Sequence, residues 1–334
     1  MSRIAIIGAG AWGSALACIA RRGGHEAILW AREPEVVESI NAGLGNPIFL
    51  PGIPLEPDIA ATADIEAAPA GADIVVLVVP SQFLRRVAEG MRAALVAGTP
   101  VVVCAKGVEQ GSNALMTEVV EDALPEAAIA VLSGPTFARE VAAGLPTAVT
   151  LATADRKLGA SLVEAIGTSH FRPYLSDDPV GVEIGGAVKN VLAIACGIVV
   201  GKQLGDNARA ALITRGLAEM ARLGAAKGAK AETLMGLSGL GDLTLTCNGP
   251  QSRNMSLGMA IGEGRALADV VAERNSIAEG VDTARSVTAL ASALGVELPI
   301  CEAVNRILHQ GADPDKVIAE LLSRPFRVEF ASAD

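Results

Sequence analysis

Positive charge is scarce in this chain of 334 residues, where 27 Lys and Arg face 37 Asp and Glu. The net charge is −10 and the pI near 5.0. Nucleic acids and anionic membrane surfaces require a cationic field, so neither is expected as a partner. An anionic substrate must instead be held by a few local cations and by helix ends. His25, His170 and His309 share no close spacing with Cys or acidic residues, so no zinc ligand set is visible and no metal is expected. The cysteines, Cys18, Cys104, Cys196, Cys247 and Cys301, form no C-x-x-C pair. An odd, scattered set of this kind fits a reducing cytoplasm and argues against a disulfide framework. No apolar run is read as reaching the ~20 residues of a membrane helix, so membrane insertion is not expected. The one imitation of a secretory leader is Arg3 followed by the apolar stretch 4–20. It carries three regularly placed glycines and Trp12, and reads as folded structure.

What is present is hydrophobic: 51% of residues are apolar, which supports large cores and rules out disorder of the highly charged type. The length exceeds what one core usually serves, so two domains are expected. Residues 3–7 form a short isoleucine-rich run, 11–22 are helix formers stopped by Gly23-Gly24, and 26–30 are a second apolar run. Strand, helix and strand within about thirty residues make a βαβ unit with parallel strands. Runs at 73–80, 100–105, 129–132 and 148–152 repeat the buried-strand texture, implying a largely parallel sheet covered on both faces. The texture changes at Asp177-Asp178-Pro179, which reads as a helix start. Beyond it the valine-rich runs give way to helical segments at 180–200, 208–227, 256–261, 283–294, 300–309 and 315–322. The expected fold is therefore a Rossmann-type domain over 1–180 followed by an all-helical domain over 181–334, with a cleft between them. Helices of this Ala/Gly/Leu type serve either an interdomain face or the interface of a homodimer.

Six local motifs bear on chemistry. Gly8-Ala9-Gly10-Ala11-Trp12-Gly13 lies between a predicted strand and a predicted helix. There Gly8 permits a tight turn, Gly10 lets backbone approach a pyrophosphate, and Gly13 lets helix and strand pack closely. Some twenty residues on, Arg32 precedes Glu33; a guanidinium fork can bind a 2′-phosphate, which favours NADPH over NADH. A solvated surface arginine is the plain alternative. Lys106-Gly107-Val108-Glu109 follows a strand, which points Lys106 toward the ligand edge of the sheet. In 133–138, Gly134 and Thr136 make an anion-binding turn plausible, though Thr136 serves equally as a cap. Within 185–190, two glycines in a helix interior cost roughly 2 kcal/mol, which close approach of a ligand or another backbone can offset. Lys189 in that apolar segment loses solvation, so its pKa falls and it suits a general base; snorkelling to water is the alternative. Residues 236–243 read as a flexible loop ending in Asp242. Ser252 then caps a helix with Arg253 and Asn254 in its first turn, a phosphate receptor or merely a capped helix.

Together these motifs resemble the bacterial NAD(P)-dependent glycerol-3-phosphate dehydrogenases. The resemblance runs nearly end to end: GAGAWG at 8–13, KGVE at 106–109, GPTFARE at 134–140, GGAVKN at 185–190, TRGLAEM at 214–220, GLSGLGDLTLTC at 236–247, SRN at 252–254 and AEGVDTA at 278–284. It implies that Lys189 is the proton acceptor. It also implies that Lys106, Gly134, Thr136, Lys189, Asp242, Ser252, Arg253 and Asn254 line the substrate site. Trp12, Arg32, Lys106, Ala138, Arg253, Ile277 and Glu279 would touch the cofactor. The family often has serine where this chain has Ala11, so a hydroxyl to the pyrophosphate is missing. The implied reaction interconverts dihydroxyacetone phosphate and sn-glycerol 3-phosphate, the phospholipid backbone precursor. Lys189 would exchange the proton, Lys106 would polarise the same oxygen, and Asp242 would orient Lys189 or bind a substrate hydroxyl.

Two other readings compete. A related two-domain dehydrogenase acting on a phosphate-free hydroxy acid would use Arg253 for a carboxylate. A redox-sensing dinucleotide binder would need no buried base, and intact Lys106, Lys189 and Asp242 count against it.

Overall fold

The computed structural model describes residues 1–249, 251–273 and 278–325. The first half of the chain alternates strand and helix. In order it runs β1 (Arg3–Ile7), α1 (Ala11–Arg22), β2 (Glu26–Trp30), α2 (Pro34–Asn41), β3 (Ile59–Thr62), β4 (Ile74–Leu77), α3 (Leu84–Met91) and β5 (Pro100–Val103). It continues with α4 (Met116–Ala123), β6 (Ala128–Ser133), α5 (Ala138–Ala142), β7 (Thr147–Ala152), α6 (Arg156–Ile166) and β8 (Phe171–Ser176). The eight strands form one sheet in the order β3-β2-β1-β4-β5-β6-β7-β8. All pairings are parallel except β6 with β7. Chain order reverses between β1 and β4, and the glycine turn leaves β1 at that switch point, where open α/β sheets collect ligands.

The βαβ unit has the bounds the sequence predicts. β3 and β8 were not predicted, for a shared reason. Both sit at sheet edges and are buried on one face at most, so neither shows a continuous apolar run; β8 even carries Pro173 between exposed Arg172 and Tyr174.

From Pro179 onward the described residues are helical: α7 (Pro179–Gly201), α8 (Asp206–Ala226), α9 (Ala231–Leu234), a π-helical turn (Leu237–Gly241), α10 (Asp242–Asn248) and α11 (Arg253–Gly262). α12 (Leu267–Ala272), α13 (Gly280–Ala293), α14 (Pro299–His309) and α15 (Pro314–Leu322) complete this half. Its hub is α7, begun by the Asp178 carboxylate, which accepts the Gly181 amide at 2.9 Å, and by Pro179 in the first turn.

α7 corrects one expectation. Its 23 residues, with a mean hydropathy of 1.8 over the most apolar window, are long and apolar enough to cross a bilayer. That window is 89% buried inside the protein, so the helix spends its apolar surface on its neighbours. α11 lies against it almost backbone to backbone. A methyl group on Gly197 would come 2.1 Å from the Met255 carbonyl oxygen, and one on Gly258 would come 2.1 Å from that of Ile194.

The halves are tied together at the β5–α4 connection. Val108 and Leu115 from that segment belong to the helical core. Thr117 at the start of α4 donates its amide and hydroxyl to Glu183 of α7, at 2.8 and 2.7 Å. Burial pushes the Glu183 carboxyl up to about 7.

The α7–α11 contact makes a stability prediction. Gly258→Ala puts a methyl where only backbone lies, with no flexible neighbour to yield, and should destabilise the fold by about 2 kcal/mol or more. Urea unfolding followed by circular dichroism measures it; an unchanged midpoint would remove the close approach as a constraint.

Candidate active site

The glycine turn uses its three glycines for three different reasons. Gly8 holds φ at +120°, and a Cβ there would stand 3.0 Å from the Val78 backbone. At Gly13 a Cβ would be 1.8 Å from the Gly8 carbonyl oxygen, so helix and turn could not close. Gly10 faces nothing within 4 Å. It sits at the N-terminus of α1, whose first amides have no side-chain cap. That combination, open space beside uncapped helix amides, fits the pyrophosphate of a dinucleotide. Asn46, 1% exposed, braces the turn by donating to the Ala9 carbonyl and the Ser14 hydroxyl, each at 2.8 Å.

Around this turn lie the other residues expected at the cofactor. Arg32, largely exposed, pairs with Glu33 at 2.8 Å. Trp12 packs at a tilt on Phe171 with ring centroids 6.3 Å apart, and Ala138 opens α5. Glu279 immediately precedes α13; desolvation raises its carboxyl pKa, while Arg253, Lys106 and Lys189 act to lower it. Ile277 falls outside the described residues.

Next to the turn, at the carboxyl ends of β5 and β6, two lysines meet on one carboxylate. Lys106, three residues past β5, donates to Asp242 Oδ2 at 2.7 Å and to the Gly134 carbonyl at 3.3 Å. Lys189, from the middle of α7, donates to Asp242 Oδ1 at 2.5 Å and to Thr246 Oγ1 at 3.0 Å. Lys189 is 6% exposed and Asp242 1%. Burial drives the Lys189 ammonium down to about 8; Asp242 opposes that shift and the charge on Lys106 adds to it. Lys189 therefore does not snorkel to water. The paired glycines of α7 explain how it is seated. A Cβ on Gly185 would be 2.5 Å from the Ser238 carbonyl, and one on Gly186 would be 3.1 Å from the Ser133 hydroxyl and 3.3 Å from the Lys106 chain.

The expected phosphate-binding side is assembled from helix starts. Ser252 caps α11 by accepting the Met255 amide at 3.2 Å. Arg253 is the exposed first residue of that helix. Asn254 is buried and bonds in both directions, donating to Asn190 Oδ1 at 2.9 Å and accepting from the Gly280 amide at 3.0 Å. Thr136 Oγ1 donates to the Gly134 carbonyl at 3.3 Å, the same oxygen that Lys106 reaches.

One expectation fails here. Residues 236–241 are not a flexible loop: Leu237–Gly241 form a π-helical turn that runs into α10, with Ser238 and Gly239 buried. Gly239 explains the density of glycine, since a Cβ there would lie 2.0 Å from the Leu234 carbonyl. Reading the segment as a loop hid Thr246, four residues after Asp242 and thus on its helix face, which completes the Lys189 contacts. Asn190, beside Lys189 in sequence, was also overlooked. Its Nδ2 is buried without a partner among the described residues, as are the hydroxyls of Ser133 and Ser238. Buried polar atoms of this kind imply a ligand or an ordered water beside them.

A dinucleotide cradle at the switch point, joined to a buried lysine–carboxylate cluster borne by a helical half, defines a two-domain dinucleotide-dependent dehydrogenase. Sequence models for the two halves of the NAD-dependent glycerol-3-phosphate dehydrogenases match residues 3–159 (N-terminus) and 178–319 (C-terminus). The chain belongs to this family. It is 59% identical over 327 residues to the glycerol-3-phosphate dehydrogenase [NAD(P)+] of Parvibaculum lavamentivorans, covering 98% of each chain. To that of Rhodospirillum rubrum it is 60% identical, over 99% of this chain and 95% of the other. The crystal structure of glycerol-3-phosphate dehydrogenase from Coxiella burnetii superposes with a TM-score of 0.93 at 44% identity, covering 97% of this chain and 99% of that one.

The cluster geometry makes its own prediction. Asp242→Asn removes the carboxylate to which both amines donate and leaves the two like charges without their shared hydrogen-bonded partner, and should cost about 3 kcal/mol of stability. Denaturant titration at pH 7 measures it. A loss confined to turnover, with the unfolding midpoint intact, would mean that the carboxylate does not hold the two cations together.

Proposed function

We propose that this chain interconverts dihydroxyacetone phosphate and sn-glycerol 3-phosphate with NADPH or NADH, in the cytoplasm, and so supplies glycerol phosphate for phospholipid synthesis. The observation that carries the reading is the convergence of Lys106 and Lys189 on Asp242 at the carboxyl edge of the sheet that also bears the Gly8–Gly13 turn. Residues 1–180 act as the dinucleotide-binding domain and 181–334 as the helical domain that carries Lys189.

When bound, the nicotinamide supplies the hydride. The chain must supply or remove a proton at the substrate oxygen and orient the substrate. Lys189 does the former: as an ammonium it protonates the oxygen during reduction, and as a neutral amine it takes the proton back during oxidation. Burial, which lowers its pKa to about 8, places both forms within reach near neutrality. Lys106, which donates to the other oxygen of the same carboxylate, polarises the substrate oxygen. Asp242 fixes both amines in place, and Thr246 completes the Lys189 contacts. With both lysines ionised, the Lys106–Asp242–Lys189 cluster carries one surplus positive charge, a local attraction for a phosphorylated substrate in a protein of net charge −10. The first-turn amides of α11, with Ser252, Arg253 and Asn254, take the phosphate, and Gly134 and Thr136 bound the opposite wall.

Two outcomes follow from this assignment. Lys189→Ala should lower kcat on the order of a thousandfold while leaving NADPH binding intact. Near-normal kcat, measured by NADPH oxidation with dihydroxyacetone phosphate, would refute the role. The pH dependence has opposite signs in the two directions. Oxidation needs the neutral amine, so its kcat should rise with pH and level off above about 8. Reduction needs the ammonium, so its kcat should be level below about 8 and fall above it. Profiles of equal sign in both directions would sink the lysine as the proton-transfer group. Turnover of phosphate-free hydroxy acids in place of the phosphorylated pair would favour the rival dehydrogenase reading.

A further inference from the structure

Leu115 stands at the N-cap of α4, and a leucine has no acceptor atom for the free amides of the first turn. Glu183 supplies the acceptor from α7: its carboxylate takes the Thr117 amide at 2.8 Å and the Thr117 hydroxyl at 2.7 Å. Glu183 is 4% exposed. A carboxyl is costly to bury, and the proton exchange assigned to Lys189 makes no use of it. The segments it joins already meet through apolar side chains, since Val108 and Leu115 belong to the core around α7. Adhesion alone does not account for it.

What the carboxylate adds is direction. Apolar contact is non-directional, whereas two hydrogen bonds to one residue fix α7 against α4 both along its axis and in rotation. Each end of this tie leads to a lysine of the cluster. Lys189 follows Glu183 on the same helix, about 9 Å farther along the axis. Lys106 stands at the start of the segment that returns to Thr117. That segment is closed on itself by a bridge between Val108 and Leu115, and the Glu109 amide donates to the Ala114 carbonyl at 2.9 Å. Arg85 of α3 clasps the Glu109 carboxylate, at 2.9 and 3.0 Å. Lys106 is thus carried on a braced loop whose far end Glu183 holds.

Resting on the assignment of Lys189 as the proton-transfer group, we infer that Glu183 is a positioning residue for the reaction: by capping α4 from α7, it sets the distance between Lys106 and Lys189 around Asp242. The charges facing Lys189 are Asp242 on α10, Lys106, and Glu279 just before α13. Of these three, Lys106 alone rides on the segment that Glu183 grips. Loosening the grip lets Lys106 recede. Its repulsion, which favours the neutral Lys189 amine, then weakens, and so does its polarisation of the substrate oxygen.

Profiles of kcat against pH, recorded on the intact chain in both directions, test this. Glu183→Ala should lower kcat by about tenfold each way and move the midpoint of both profiles upward by about half a pH unit. Oxidation at pH 8, which draws on the neutral amine, then loses more than reduction. A merely structural role would lower both directions alike and leave the midpoint in place. Glu183→Gln should restore parent behaviour, because its amide accepts the Thr117 N–H and donates to the Thr117 hydroxyl. Thr117→Val removes the hydroxyl bond alone and should move the midpoint the same way by less; added to Glu183→Ala it should change nothing further. It carries the test by itself if Glu183→Ala does not fold. A parent midpoint in every folded variant, with or without loss of kcat, overturns the positioning role and leaves Lys189 standing. Parent profiles that lack opposed slopes around pH 8 would overturn the Lys189 assignment and this inference with it.

Discussion

The contact on which the site depends is the double occupation of the Asp242 carboxylate. Each oxygen accepts one ammonium, Lys106 from the sheet half and Lys189 from the helical half. No single element could build this. Lys106 is placed by the end of β5, Lys189 by the register of α7, and Asp242 by the first residue of α10. Burial makes the arrangement consequential. In water these charges would be worth little to one another, but nearly excluded from it they are strongly coupled. The carboxylate keeps two like charges together, while desolvation keeps one of them close to releasing its proton.

Seating Lys189 in that position requires α7 to be approached closely on several sides at once. Glycine makes this possible. Gly185 and Gly186 admit the π-helical turn and the Lys106 chain, while Gly197 and Gly201 admit α11, whose Gly258 and Gly262 reciprocate. The helix-propensity penalty of so many glycines is offset by packing that no larger residue allows. Glu183 on the same helix receives the start of α4. Through α7 the position of the Lys189 amine is thus linked to the β5–α4 connection that also bears Lys106.

Legibility in the sequence followed burial pattern closely. β1, α1 and β2 could be read to the residue because a doubly covered parallel strand leaves an unbroken apolar run and a helix stop such as Gly23-Gly24 is unambiguous. Lys189 stood out because a lone lysine in an apolar helix is anomalous on physical grounds. Edge strands β3 and β8 were invisible for the opposite reason: a half-exposed strand of ordinary residues has no signature. The segment 236–241 was misread because its glycines suit a mobile loop and a tightly packed turn equally well, and only tertiary contact distinguishes them. That error hid Thr246. The Asn254–Asn190 bond, between residues 64 positions apart, has no local trace in the chain at all.

The apolar character of α7 bears on how the protein is made. By length and hydropathy this helix resembles a bilayer span, and it loses that character only when α10, α11, α13 and α14 have wrapped it. Those segments emerge later. At ribosomal speeds of about 5–20 residues per second, completing α11 after α7 takes on the order of several seconds. Throughout that interval the nascent chain displays a sticky, greasy rod carrying a charged amine at its centre. That lysine, together with Glu183, is unwelcome in lipid and marks the rod as something other than an anchor. The same two side chains that fix α7 among its neighbours in the finished fold therefore also discourage this most apolar helix from being misdelivered into a membrane before its partners arrive.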